Sequence, residues 1–578
     1  MKVLLLFKPN PEIVNTQQNI IPNGLLYIAA LLLKNNIDAE VLNLAGKNWD
    51  ECKQLIKEKA PSIVGIGCYT FNRNTCIKLA GIIKEINKEI KVVFGGPHSS
   101  IMQSKLMENC NDIDITVLNE GEITFLEIVE RLKKGTSLES LPGIVYRANG
   151  NIINNSPRAP LENLDALPIP ADYFKYKRII TSRGCPGRCI FCDTPKLWGQ
   201  KVRLRSPKNV AGELEMLHKK YGICSFIISD DTFTFDKNRT IEICKEIINR
   251  GLKITWDCRS RVNFIYEERL RWMKKAGCVS VSYGIESGSQ KILNTLKKGI
   301  TTQQIREAAA LTRKFGFSLN YFIIAGSPGE TEETIKETIE LIEETKPTAI
   351  FVYAMQLTPG TEIYEMAEKN GCIIDWISNK EEVIYFTNEN SMEELIGYAN
   401  KVQEFFNLHK KEFQYTEKEL IEIINNEKGI QDLINLAHIK MRQKELDRAE
   451  LIIDEALAIN PNSTEALMNK GVILAIKKKK ECIGFFNKSI KADPENLLAY
   501  KNLGLFLFKE KQYDDAISVF NQAIDIEPAD VELYNSLGSA YGTIRDYPNA
   551  IAAFRKALKI EPNNQETIKN LKITIENK

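Results

Sequence analysis

Short apolar runs alternate with helical patterns over residues 1 to about 140. Strand-like runs lie at 3–7, 39–44, 63–69, 92–95 and 113–118, with helical stretches near 24–35, 74–88 and 123–134. Apolar strands that alternate with helices are typical of an α/β fold with a doubly wound parallel sheet. The pattern therefore predicts a Rossmann-like domain over residues 1–140, with ligands bound at the carboxyl ends of its strands.

Three of these predicted strand ends combine glycines with polar side chains. Glycine lets a backbone approach a bulky ligand closely, although ordinary turn chemistry explains the same residues. The candidate ligand-binding residues at these ends are Thr70, Gly95, Gly96, Glu120 and Gly121.

A second run of strands and helices follows residues 141–178, whose prolines indicate a linker between domains. Strand-like runs recur at 226–229, 254–258, 279–284, 319–325 and 350–356, separated by amphipathic patterns such as 301–315 and 331–345. Repeated β-then-α units predict a partial or complete parallel barrel over 179–385, with functional residues at the carboxyl ends of its strands.

A repeat takes over after a helical connector at 386–428. Asn460-Pro461, Asp493-Pro494, Glu527-Pro528 and Glu561-Pro562 recur at steps of 33 or 34 residues, and the small residues Ala437, Gly471, Gly504 and Gly538 keep the same step. This period is the tetratricopeptide signature. It predicts an all-α solenoid of about four repeats over 429–578, degenerate at Ile483 in the second repeat, with a groove that binds a peptide or protein partner.

Composition narrows the class of partner and the compartment. Lys and Arg number 77 against 75 Asp and Glu, which gives no electrostatic case for nucleic acid. The longest apolar run, 25–33, is too short to span a bilayer. Residues 1–8 read as a first strand and not a signal peptide, and 13 cysteines without export fit a reducing cytoplasm.

The strongest chemical signal is a loop that reads C-x-x-x-C-x-x-C. Cys185, Cys189 and Cys192 can hold three irons of a 4Fe–4S cluster and leave the fourth iron open for a ligand. Zinc usually takes a fourth Cys or His, which is not evident nearby, and a disulfide framework is typical of small secreted chains. Phe191 is expected to pack over the cluster or its ligand.

Residues 179–360 resemble the core of the radical S-adenosylmethionine (SAM) enzymes, because the cysteine loop matches their motif in full. The resemblance implies that the open iron binds SAM and that an electron from the cluster cleaves it to methionine and a 5′-deoxyadenosyl radical.

The same resemblance implies further contacts with SAM. Asp230 and Asp231 would meet its ammonium group, with a helix N-cap as the alternative for Asp231. Arg259 would meet the carboxylate, with a surface ion pair as the alternative. Glu286, with Ser287 beside it, would bind the ribose hydroxyls, with a structural carboxylate as the alternative for Glu286. Gly326 would lie near adenine.

Residues 1–140 and the segment Leu167-Pro168-Ile169-Pro170 resemble the cobalamin-binding domain fused to one large subclass of these enzymes. Gly95-Gly96-Pro97-His98 and Glu120-Gly121-Glu122 carry this resemblance. The D-x-H-x-x-G loop that ligates cobalt in other cobalamin proteins is absent, so His98 is not assigned as the cobalt ligand.

The leading hypothesis is an anaerobic, cytoplasmic radical SAM enzyme that methylates an unactivated carbon with cobalamin. The repeats suggest a peptide or protein-delivered substrate, and the resemblance implies a flavodoxin or ferredoxin-type reductant. Two alternatives stay open: a non-methylating rearrangement, oxidation or cyclisation, and a repeat scaffold with a structural metal domain. The sequence identifies no catalytic acid or base.

Overall fold

The structure of the protein is a computed structural model that describes residues 1–8, 20–371 and 384–577. The described residues form two compact units. The first comprises residues 1–217, 227–250 and 256–414, and the second comprises 218–226, 251–255 and 415–578. Among the described residues, none of the helices combines the length and apolarity that a membrane span requires.

The predicted N-terminal doubly wound sheet is confirmed. It has seven strands in the order β2-β1-β3-β4-β5-β6-β7, and β1 to β5 pair in parallel. The strands are β1 (Lys2–Phe7), β2 (Asp38–Asn43), β3 (Ile63–Gly67), β4 (Lys91–Gly95), β5 (Ile115–Val117), β6 (Ile144–Ala148) and β7 (Asn151–Asn154). The helices are α1 (Asn23–Lys34), α2 (Trp49–Lys59), α3 (Arg73–Ile86), α4 (Pro97–Met102), α5 (Ser104–Glu108) and α6 (Gly121–Lys134).

Strand periodicity explains why this sheet is buried on both faces. Alternate side chains of a strand point to opposite faces, so β1 sends Leu4 and Leu6 into one core and Val3 and Leu5 into the other. All four side chains are fully buried. The continuous apolar run of β1 is what a central strand with helices on both faces requires.

The predicted linker at 141–178 is wrong in its first third. Residues 144–154 form a β-hairpin that extends the sheet, because β6 pairs antiparallel with β5 and β7 pairs antiparallel with β6. Asn149 and Gly150 form the turn with φ of 50° and 81°. Both angles lie in the left-handed region that Asn-Gly turns favour.

The predicted central barrel is a partial one, with six strands in the order β15-β14-β13-β12-β11-β8. The pairs β8–β11, β12–β13, β13–β14 and β14–β15 are parallel. The strands of this region are β8 (Arg178–Ile179), β9 (Ser182–Arg183), β10 (Arg203–Leu204), β11 (Ser225–Ile228), β12 (Thr255–Ser260), β13 (Cys278–Glu286), β14 (Ser318–Ala325), β15 (Ala349–Ala354), β16 (Gln356–Leu357) and β17 (Ile384–Tyr385). The helices are α7 (Thr194–Trp198), α8 (Pro207–Tyr221), α9 (Lys237–Asn249), α10 (Glu267–Lys275), α11 (Gln290–Thr295), α12 (Thr302–Lys314), α13 (Glu332–Thr345), α14 (Glu362–Lys369) and α15 (Met392–His409).

The predicted connector at 386–428 is not a single element. Helix α15 belongs to the first unit, where it packs against β14, β15 and α13. Its Leu395 is fully buried. Part of the connector is therefore a structural layer of the central domain.

The C-terminal helices confirm the tetratricopeptide prediction. They are α16 (Glu417–Glu427), α17 (Ile430–Arg442), α18 (Leu446–Ile459), α19 (Thr464–Ile476), α20 (Cys482–Ala492), α21 (Leu497–Lys509), α22 (Tyr513–Ile526), α23 (Val531–Thr543), α24 (Tyr547–Ile560) and α25 (Gln565–Glu576).

The periodic glycines of the repeats lie where two paired helices touch. A Cβ added at Gly504 would lie 2.4 Å from the ring of Phe520, and one at Gly538 would lie 2.7 Å from the ring of Phe554. Steric contact therefore explains the small residues. The degeneracy assigned to Ile483 is wrong, because the fully buried Cys482 holds the small-residue position, 34 residues before Ala516.

Candidate functional site

The cysteine loop lies between β9 and α7, and glycines allow its tight path. Gly184 has φ of 99°, and a Cβ there would lie 2.8 Å from the Lys201 carbonyl oxygen. The three cysteines Cys185, Cys189 and Cys192 are half-buried free thiols. Burial raises the pKa of the Cys192 thiol to about 11. A thiolate there therefore requires a nearby cation such as iron.

The chemistry of the donors fits a cluster better than a single ion. In the described ranges, no three His, Cys, Asp or Glu side chains converge on one ion position. A mononuclear zinc site needs such convergence, whereas an iron–sulfur cubane gives each cysteine its own iron. Three thiols on one loop match the three cysteine-bound irons that the motif predicts.

Asp230 ties the segment before the cysteine loop to the end of β11. The buried carboxylate accepts hydrogen bonds from the N–H groups of Thr181 and Ser182 at 2.6 and 3.1 Å. It also accepts from their hydroxyls at 2.5 and 2.6 Å. These four bonds occupy the lone pairs of a carboxylate, so the predicted contact with the SAM ammonium would have to displace them.

Asp231 differs from its neighbour because its side chain is solvent-accessible. Protein nevertheless surrounds most of the carboxylate, and this desolvation, with the charges of Asp230 and Asp193, raises its pKa to about 6. The alternative of a helix N-cap is wrong, because Asp236 caps α9. Asp231 is thus the member of the pair that can still meet a ligand.

Arg259 projects from β12 and lines a large cavity. Its guanidinium lies 5.5 Å from the ring centroid of Phe322. The alternative of a surface ion pair is wrong for the part of the chain described, where no carboxylate lies within ion-pair distance of this arginine. Arg259 is therefore placed to meet an anionic group of a ligand in the cavity.

Glu286 ends β13 in a strained conformation and a buried ion pair. Its φ of 66° is unusual for a residue with a side chain. Its Oε1 lies 2.7 Å from the Lys298 Nζ, with side-chain exposures of 8% and 7%. The Lys298 ammonium in turn lies 6.0 Å from the ring centroid of Phe191. The predicted ribose contact and the aromatic residue of the cysteine loop are thus joined through one lysine.

Ser287 and Gly326 are held by helices behind the strand ends. The buried Ser287 hydroxyl lies 3.2 Å from the Thr338 hydroxyl on α13. Gly326 has φ of 84°, and a Cβ there would lie 2.1 Å from Leu395 on α15. Glu330 braces this turn by accepting the N–H groups of Gly326 and, at 3.0 Å, Ser327. Burial raises the pKa of Glu330 to about 7.

A cavity of about 550 Å³ opens at the carboxyl ends of the N-terminal strands. Its lining includes the predicted residues Gly95, Gly96, Glu120 and Gly121, together with Arg259 of the central domain. Space for a bulky ligand is present beside Gly24, where an added Cβ would meet nothing within 4 Å. A concave, largely apolar cavity at this edge of a parallel sheet is typical of a cofactor site.

Thr70 is not among the residues that line this cavity. Its hydroxyl lies 3.2 Å from the His98 Nδ1. His98 is fully buried, and burial lowers the pKa of its ring to about 3.

Glu120 is held by a buried ion network that the sequence analysis missed. Its carboxylate accepts from Arg183 Nη1 at 2.6 Å, from Arg203 Nη1 at 2.8 Å and from the Leu161 N–H at 2.7 Å. Arg183 also pairs with Glu122. Burial opposes ionisation of Glu120, but the two arginines hold its pKa below the usual value. The network joins the N-terminal sheet to the residues that precede the cysteine loop. The one sign of it in the sequence is that Arg183 directly precedes Gly184 at the start of the cysteine loop.

Family models match all three regions. Residues 179–342 match the radical SAM superfamily, residues 12–129 match the B12 binding domain, and residues 485–518, 504–544 and 531–564 match tetratricopeptide repeats.

Several curated relatives align with between half and two thirds of the chain. An uncharacterized methyltransferase of Pyrococcus horikoshii is 36% identical over 391 residues, which is 65% of this chain and 84% of the relative. An anaerobic magnesium-protoporphyrin IX monomethyl ester cyclase of Rubrivivax gelatinosus is 30% identical, covering 52% of this chain and 57% of the relative. A cytidylyl-2-hydroxyethylphosphonate methyltransferase of Streptomyces wedmorensis is 26% identical, covering 61% and 78%.

Two solved structures share the fold. The radical S-adenosylmethionine methyltransferase TsrM of Kitasatospora setae aligns with a TM-score of 0.56 and 20% identity, covering 64% of this chain and 77% of that one. The cobalamin-dependent S-adenosylmethionine radical enzyme OxsB aligns with a TM-score of 0.58 and 17% identity, covering 94% and 84%.

Proposed function

Because the chain belongs to the radical SAM superfamily and carries a B12-binding domain, we propose that it is a cobalamin-dependent methyltransferase. The substrate is an unactivated carbon of a peptide or of a molecule delivered by a protein. The cofactors that these domains use are a 4Fe–4S cluster, SAM and cobalamin. When bound, they supply radical hydrogen abstraction and a transferable methyl group.

One observation carries the proposal for methyl transfer. The cavity at the N-terminal sheet is also lined by Ser229, Arg259 and Tyr353, which belong to the carboxyl ends of the central strands. A group bound on the N-terminal strand ends would therefore face the chemistry of the central domain. That proximity is what transfer between two cofactors and one substrate needs. The relatives from Pyrococcus and Streptomyces are both methyltransferases by name.

Each site residue has a proposed role. Cys185, Cys189 and Cys192 hold the cluster. Asp231 binds the SAM ammonium and Arg259 its carboxylate, since opposite charges suit these groups. Glu286 and Ser287 approach the ribose, Gly326 approaches adenine, and Phe191 packs over the cluster. Asp230 positions the segment that leads into the loop through its bonds to Thr181 and Ser182. The strand ends at Gly95, Gly96, Glu120 and Gly121 shape the cobalamin site, whereas Thr70 contacts His98 and does not line the cavity.

Cyclisation is the second candidate, supported by the cyclase of Rubrivivax gelatinosus at 30% identity. In this case the radical formed on the substrate by hydrogen abstraction closes a ring, and no methyl group reaches the substrate. The mass of the product distinguishes the two candidates.

The proposal includes a compartment and partners. We place the enzyme in a reducing cytoplasm, which suits the twelve described cysteines, all of them free thiols. A flavodoxin or ferredoxin-type protein would donate electrons. The repeats would bind the peptide or carrier protein, as solenoids of this kind do. The balance of 77 basic and 75 acidic residues gives no reason to expect nucleic acid.

The test is anaerobic purification with cobalamin, followed by iron and sulfide analysis, absorption spectra and an assay of 5′-deoxyadenosine after reduction. Cys185→Ala should lose the cluster and 5′-deoxyadenosine formation, whereas Cys258→Ala, at a buried thiol outside the loop, should keep both. Gly24→Phe should fill the cavity and lose the corrinoid while the cluster stays. Gly397→Phe, where an added Cβ also meets open space, is its control. Wild-type protein without a cluster would refute the proposal.

A further inference from the structure

Arg261 is a buried arginine that touches the cysteine loop and that the functional assignment does not use. It follows β12 and is 8% exposed. Its Nη1 donates to the Cys189 Sγ at 3.8 Å, and its Nη2 donates to the Lys298 carbonyl oxygen. A Cβ at Gly187 would lie 2.8 Å from the Nη1 atom. The loop therefore lies directly against the guanidinium, and glycine at position 187 makes this approach possible.

The charge of Arg261 has no carboxylate partner. A guanidinium stays protonated in proteins, and in the described residues no carboxylate oxygen lies within ion-pair distance of this one. Its buried neighbour Lys298 is paired with Glu286. A buried cation without an anion is strongly destabilising. The sulfur of Cys189 is the group beside Arg261 that can become anionic, which happens when the cysteine binds iron as a thiolate.

We propose that Arg261 is a positioning residue that sets the reduction potential of the cluster. The inference rests on the proposed cluster at Cys185, Cys189 and Cys192. Hydrogen bonds and charges at the ligand sulfurs determine the potential of an iron–sulfur cluster. One electron from a flavodoxin or ferredoxin-class donor adds one negative charge to the cluster. A fixed cation beside a ligand sulfur stabilises this reduced form and raises the potential.

The anchoring of Arg261 explains why an arginine suits this position. One arm of the planar fork meets the sulfur while the other is held by the Lys298 carbonyl, and Lys298 is itself fixed by Glu286. A lysine could supply the charge but not both contacts in this fixed geometry. Charge and orientation can therefore be separated by substitution.

The experiment measures the midpoint potential of the reconstituted cluster in the full chain by an anaerobic redox titration followed by electron paramagnetic resonance. Arg261→Met should disfavour reduction about tenfold, which is about 59 mV toward negative potential for one electron. Arg261→Lys should shift the potential less. Arg269→Met removes another buried arginine, which bonds to the Phe264 carbonyl, and should leave the potential unchanged.

Iron and sulfide analysis and the absorption spectrum are measured first. They distinguish a failure of the proposed function from a failure of the inference about Arg261. A wild-type protein without a cluster refutes the proposed function and this inference with it. An intact cluster with the same potential in the wild type and in Arg261→Met overturns this inference alone. If Arg261→Met does not retain the cluster, Arg261→Gln, which also removes the charge, decides, and an unchanged potential in that variant overturns the proposal. 5′-Deoxyadenosine formation that recovers with a stronger reductant would support it.

Discussion

The ion network around Arg183 predicts a large loss of stability on a single substitution. Arg183→Met removes a guanidinium that bonds to Glu120 and Glu122, and Glu122 keeps no other cationic partner among the described residues. The side chains of these three residues are 7%, 10% and 7% exposed. Breaking a buried pair from one side leaves an uncompensated charge and costs about 3–5 kcal/mol of the free energy of unfolding.

Arg250 provides the matched control. It also bonds to two glutamates, Glu215 and Glu246, but these three side chains are 27%, 26% and 25% exposed. Pairs that water reaches contribute about 0.2–1 kcal/mol, so Arg250→Met should cost no more than that. Both substitutions remove an arginine that pairs with two glutamates, and the two sites differ mainly in burial. Arg183 also lies over the rings of Tyr27 and Trp198.

Urea unfolding of the apoprotein measures the difference, and hydrogen exchange of residues 115–125 and 178–205 locates it. The double variant Arg183→Met with Glu122→Gln should recover part of the loss, because the stranded charge is removed while the Glu120–Arg203 pair remains. Coupling between such neighbours is about 0.5–3 kcal/mol. A cost for Arg183→Met no greater than that of Arg250→Met would refute the reasoning, as would a double variant no more stable than the single one.

Three further predictions follow from other contacts. Gly538→Ala should lower the free energy of urea unfolding by about 1–3 kcal/mol, because its Cβ would overlap the ring of Phe554 on the paired helix. Gly542→Ala on the same helix would meet only an atom at 4.0 Å and should raise this free energy by about 0.5–1 kcal/mol. Glu330 has a pKa of about 7 in the folded protein, above its unfolded value. The folded state therefore binds the Glu330 proton more tightly than the unfolded state. As pH rises from about 4.5 to 7, the free energy of unfolding of the wild type should fall by about 3 kcal/mol relative to that of Glu330→Gln. The same pH dependence of unfolding in both proteins would contradict this. Lys298→Met should lower the free energy of unfolding by about 3–5 kcal/mol by stranding the Glu286 carboxylate. Lys298→Met with Glu286→Gln should recover part of this loss, and a double variant no more stable than the single one would contradict the prediction.

Local sequence was sufficient for most of the elements and for the cysteine loop. Residues 3–7 and 63–67 are continuous apolar runs, so burial of both faces of the sheet can be predicted from the sequence alone. The cysteine motif was readable because its three residues fall within one loop. The tetratricopeptide pattern was readable because each repeat places the same residue against the same neighbour.

The rest depends on contacts between distant parts of the chain. Arg203 meets Glu120 across 83 residues, and Arg261 meets Cys189 across 72; neither separation leaves a local pattern. The four hydrogen bonds to Asp230 span 48 or 49 residues. Helical periodicity predicts that helix α15 has an apolar face, but it does not show which part of the protein packs against that face. The helix was therefore assigned to a connector. The hairpin at 144–154 was an avoidable miss, since Asn149-Gly150 is a strong turn signal.

The hairpin also determines where the N-terminal domain can be cut. A fragment that ends at residue 140 would lose β6 and β7. Strand β5 would then be an exposed edge strand, with the backbone N–H and C=O groups that face β6 left unpaired. Exposed edge strands pair with strands of other molecules and so promote aggregation. A fragment that ends after Asn154 would keep the hairpin, so that the short strand β7 is the edge strand. The residues of β7 are half-buried or exposed along its length. Attempts to study corrinoid binding by the domain alone should therefore begin from the longer fragment.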